Sequence, residues 1–179
     1  AWIALVAVPR AELAALTENL RLALDAGPDS VASRSAPLMP QRVDQLVWLG
    51  LSKRSVAILR PFINLLPVRT PVNLNSASAP VLNACLPVLD MAQAARLVSN
   101  RQSAHFRALS DIAKVAPEAA GDLNESLHSV SSRFFEVHGR LRLEHTIVEE
   151  RSVVQREGLA VKVLWRDRGA PGQADGPLQ

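Results

Sequence analysis

The side chains best suited to acid–base or metal chemistry are four histidines, His105, His128, His138 and His145, and they are scattered along the chain. His138 and His145 can face each other across a hairpin. No cysteine or repeated carboxylate joins them, so they do not make a zinc set and read as solvated strand histidines. Glu149 and Glu150 are adjacent, which on a strand sends them to opposite faces and argues against paired carboxylates for acid–base work. Gly27, Gly50, Gly121, Gly139 and Gly158 stand singly, so there is no glycine-rich loop to cradle a phosphate. Serines are many, but no pattern pairs one with a base. Cys85 is the single cysteine, which excludes an intrachain disulfide, and its apolar helical setting reads as core. Trp48, Phe62, Phe106, Phe134, Phe135 and Trp165 are mostly core by type. Aromatics also concentrate at protein interfaces. Phe134 and Trp48 are the candidates for that role, Phe134 because its neighbour Phe135 points to the other side of a strand.

What must position these residues is a chain of 179 residues, 48% apolar, enough for one domain with a good core or two small ones. No apolar run reaches the length of about 18 residues that would span a membrane. The chain begins Ala1-Trp2-Ile3 without methionine and reads as a fragment or processed product, so an anchor ahead of it stays open. The pI of 9.7 overstates basicity, because the formal net charge is only +3 and there is no tyrosine. Between Arg133 and Arg168 eight basic residues stand against six acidic ones. That is a mixed surface, not a phosphate-binding stripe.

Two periods divide the chain. Leu13, Leu16, Leu20 and Leu24 recur at helical spacing, with Pro9 at the helix start and Gly27-Pro28 at its end. Residues 28–41 read as a loop, rich in Pro and Ser. Val43, Leu46, Val47 and Leu49 form a short apolar helix ended near Gly50. Ser52 caps the next, which Pro61 stops. Leu46–Ser52 echoes Ala84–Asp90, each reading as helix, tight turn and capped helix, and residues 3–24 are a candidate third copy. Such hairpins are expected to bury their faces on one another. Asn124–Val130 fits neither period. From Phe134 the period becomes two: Phe135, Val137, Gly139, Leu141 and Leu143 alternate with polar neighbours as a half-buried strand. Thr146–Glu157 and Leu159–Arg166 follow as further strands of an antiparallel meander.

The run Thr70–Leu82 joins an extended segment to a helix. Pro71 pushes Thr70 from helical dihedrals, and Asn75, Ser76 and Ser78 carry side chains that can accept from the first free N–H groups of a helix. Asp90, with Gln93 three residues on, has the spacing of a capping box. Helical hairpins of this kind also bind DNA through glycine-rich turns. The turn Leu86–Asp90 has no glycine, a proline and an acid. Leu49–Arg54 comes closer, with Gly50, Lys53 and Arg54. A helix-hairpin-helix DNA-binding protein is the alternative reading.

The run Pro71–Ala77 with Val81-Leu82, the close Phe106, Leu109, Asp111 and Ile112, the preceding Leu59–Phe62 and Leu66-Pro67, and then Ser132, Phe134, Phe135, Val137 and Gly139 together resemble the minor pseudopilin K family of bacterial type II secretion systems. The resemblance covers about residues 5–168, with Ser76 where the family more usually has threonine. It implies an α+β fold: a helical-hairpin domain (SAM-like or helix-hairpin-helix-like) over 1–130, inserted into a pilin-like fold whose small antiparallel meander covers 131–168. A disordered tail is expected over 169–179. Asn73, Asn75, Ser76 and Asp90 become the structural motif. The resemblance also implies a non-enzymatic subunit at the tip of the secretion pseudopilus, partnered by minor pseudopilins I and J and in contact with secreted substrates, with no nucleic acid. It would be the periplasmic domain of an inner-membrane protein, reaching the membrane only through an N-terminal helix missing here. Some members bind calcium; Asp167, Glu149 and Glu150 do not give a clustered ligand set, so no metal or other cofactor is placed.

Overall fold

The structure, a computed structural model, describes residues 8–25, 36–144 and 146–169. The expected helix end at Gly27-Pro28, the first part of the loop 28–41, His145 and the tail beyond Gly169 lie outside the described residues. The chain divides into two compact units, 1–130 and 131–179.

In the first unit, α1 (Arg10–Asp25) begins directly after Pro9. The apolar run around Leu46 is a 3₁₀ helix, Val43–Leu49, not an α-helix. It ends where Gly50 takes φ 97°, a left-handed conformation that a Cβ would also bring to 2.9 Å from Ala15 Cβ. Next comes α2 (Lys53–Leu59), capped by Ser52, whose Oγ accepts from the Ser55 N–H at 3.2 Å. It stops one residue before Pro61, at Arg60.

After a stretch without regular structure comes β1 (Val72–Asn73), then α3 (Ala79–Cys85) and α4 (Met91–Ser103). Asp90 Oδ1 accepts from Gln93 N–H at 2.7 Å while Gln93 Oε1 accepts from Asp90 N–H at 2.8 Å, a reciprocal cap that satisfies two otherwise orphan donors. α5 (Leu109–Val115) starts where the Asp111 carboxylate reaches back to the N–H groups of Arg107 and Ala108, at 3.0 and 3.2 Å. A short 3₁₀ turn, Pro117–Ala119, follows. The ambiguous stretch Asn124–Val130 holds a turn and β2 (His128–Ser129), which pairs parallel with β1.

Among the described residues the buried apolar side chains of this unit fall into two clusters. Val8, Leu46, Leu49, Leu51, Val56 and Leu59 form one, with Leu13, Leu16 and Leu20 of α1 packed against it. Leu74, Leu82, Leu86, Leu89, Leu97 and Ile112 are central to the other, which also buries Phe106. The echo between the two turns is physical. Leu51 and Leu89 are both buried, and the residue after each, Ser52 or Asp90, caps the following helix.

In the second unit β3 (Phe134–Leu143), β4 (Thr146–Glu157) and β5 (Ala160–Gly169) form an antiparallel sheet in the order β3-β4-β5. With the first unit's helices this is a mixed α and β architecture. Pairing runs without a break from Phe134↔Gln155 to Leu143↔Thr146, whereas β5 carries an extra residue, Leu164, opposite Val153/Val154.

The expected burial of the apolar row of β3 is not what the structure has. Phe135 is 42% exposed and Leu141 68%, and Val137, Val148, Val161 and Val163 on the same face are exposed too. The fully buried strand residue is Val153, on the opposite face with half-buried Phe134 and Trp165. Alternation identifies which row is apolar; it does not supply the layer that would cover it, and three strands make a single layer.

Candidate functional site

Asn73, Asn75 and Ser76 do not cap a helix. Ser78 is the residue that precedes α3, and its side chain makes no capping bond. Instead Asn73 Oδ1 accepts from the Asn75 N–H at 3.0 Å, folding the run into an Asx turn, and Ser76 Oγ donates to the Asn73 carbonyl at 3.3 Å. This aims the Asn75 amide at two distant segments. Its Nδ2 donates to the carbonyls of Phe106 and Val130, each at 2.8 Å, and its Oδ1 accepts from the Phe106 N–H at 2.9 Å. Arg101 of α4 adds Nη1 contacts to the carbonyls of Leu74 and Ala77, at 2.8 and 2.6 Å. The Leu74 N–H donates to the Ser129 carbonyl at 2.8 Å across the β1–β2 pair. One amide thus fastens the beginning, middle and end of residues 72–130. Arg101 has no local pattern that would single it out in sequence.

At both helix–turn–helix units the turn N–H groups of Gly50, Leu51, Ser52, Leu89 and Asp90 are taken up within the protein. At the first turn the Gly50 and Leu51 N–H groups bond the carbonyls of Val47 and Leu46. The Ser52 N–H donates to Glu12 Oε2 at 2.9 Å, with Ser52 Oγ at 3.1 Å from the same oxygen. A carboxylate from α1 therefore sits where an anion would bind. Hydrogen bonds from the Ser55 hydroxyl and then the Ser52 N–H hold Glu12 below the ordinary glutamate range. The sign follows: the ionised form is favoured by folding, so its contribution is present above the ordinary pKa of about 4.3 and fades as pH falls through the lowered value. Wild type is expected to melt above Glu12→Gln at neutral pH, with the gap closing as pH falls through the lowered Glu12 value. A gap independent of pH would contradict this role. At the second turn the Leu89 N–H goes to the Leu86 carbonyl, the Asp90 N–H to Gln93, and Pro87 has none to give.

His128, His138, Glu136, Glu149 and Glu150 are likewise occupied. His128 is buried, its Nδ1 3.1 Å from the Asn124 N–H. His138 Nε2 lies 2.6 Å from Glu136 Oε1, which Arg151 also engages. Burial alone would raise Glu136, but the hydrogen bonds from Arg151 and His138 bring it below its ordinary value. Glu149 faces Arg140 at 3.5 Å, whereas Glu150 faces Arg166 and Arg168 at 3.0 and 2.6 Å on the other side. These donors do not fit calcium: they diverge and are taken by arginines. Among the described residues no three His, Cys, Asp or Glu side chains come together as a metal site. Cys85 is half-buried, and burial pushes its thiol up. Of the two interface candidates, Trp48 is 47% exposed and Phe134 is half-buried; Phe135 is the more exposed of the phenylalanine pair.

Residues 72–131 match the family model described as type II secretion system (T2SS), protein K. A curated protein of Pseudomonas aeruginosa named type II secretion system protein K is 30% identical over 145 residues, covering 80% of this chain. The chain belongs to the type II secretion protein K family. It spans 43% of the length of that relative. The protein K match runs from β1 to just past β2, so its limits are the segments that the Asn75 amide and the β1–β2 pair draw together. Among the described residues no helix is long and apolar enough to cross a membrane.

Proposed function

We propose that this chain is the periplasmic part of a minor pseudopilin, acting without catalysis at the tip of a type II secretion pseudopilus. Family membership carries the reading. It is supported by a helical unit followed in sequence by an antiparallel sheet with an exposed apolar face. In this reading residues 1–130 are helical hairpins of SAM-like type, inserted into a pilin-like fold to which the sheet of 131–168 belongs, and the protein is held in the inner membrane by a helix ahead of this region. Its work is packing. The exposed row of β3 docks on minor pseudopilins of the I and J types, and the bulky helical unit blocks addition above it, starting or capping the assembly that moves secreted substrates across the outer membrane.

Co-expression with the periplasmic parts of the I and J subunits tests this. A complex of the three by gel filtration is expected, lost when Val137→Asp charges the exposed face but leaves the melting temperature unchanged. No complex, even with the parent full-length sequence, would sink the reading. The DNA-binding alternative finds little support at either turn, since one is plugged by Glu12, and at the other Pro87 has no N–H while those of Leu89 and Asp90 are already bonded.

A further inference from the structure

We draw no further inference here: the strongest candidate, the exposed apolar face of the second unit's sheet around Phe135, Val137 and Leu141, carries nothing beyond the docking already proposed, because the chain spans 43% of its relative's length and nothing in the structure shows what covers that face.

Discussion

Leu86→Asp is expected to unfold the core of residues 72–130 while the core around Leu49 keeps its protection. Leu86 is 0% exposed and sits at the turn between α3 and α4, where Leu82, Leu89 and Leu97 meet. The substitution removes a buried isobutyl group and sets a carboxyl in its place with no donor. Loss of the apolar side chain alone costs about 2–5 kcal/mol, and burying an unpaired polar group adds to it. A total of about 3–5 kcal/mol is a conservative figure, comparable to the whole stability of a small core. The carboxyl would also take up a proton instead of staying charged, so the damage should be greater at neutral than at acid pH. Residue-resolved hydrogen exchange reads it. The N–H groups of Val72 and Leu74, which bond across β1–β2, should lose protection, and those of Val56 and Arg60 should retain it. An unchanged melting temperature would mean that the helix face is wrongly assigned. Equal loss in both halves would mean that the two clusters melt as one.

That two-core arrangement was only partly legible beforehand. Periodicity places an apolar stripe on each helix, but a stripe does not name the surface it meets. The caps were legible because they are local: Ser52 and Asp90 each reach a donor three residues on, and sequence spacing is then spatial spacing. The strands were legible for the same reason, since a period of two is a property of the strand alone. Which side of the sheet is covered is not a property of the strand. The row Phe135, Val137 and Leu141 has the composition of a buried face and is exposed, whereas the row holding Glu136 and His138 shares its face with buried Val153. The β1–β2 pair could not have been read at all, being two residues on each side joined across more than fifty in sequence.

Asn75→Ala is the change expected to test the fastening amide most directly, and Asn75→Asp the one that tests its orientation. Removing the side chain leaves the Phe106 N–H and the carbonyls of Phe106 and Val130 without the partners they have, in a half-buried place that water can only partly serve. At about 1 kcal/mol for each bond, the loss is about 2–3 kcal/mol. Local spacing offers Asn75 only as a capping residue, since its partners lie 31 and 55 residues away, beyond any local pattern. The aspartate variant separates a specific amide from a merely polar filler. One carboxylate oxygen can still accept from Phe106, but the other faces two carbonyl oxygens, an arrangement that only a proton can relieve. Asn75→Asp should therefore be less stable than Asn75→Ala at neutral pH and recover relative to it on acidification, as the carboxyl becomes a donor. Thermal melting of the three proteins across that range decides the matter: parallel curves for the two variants would show that Asn75 fills space and does not hold the three segments together.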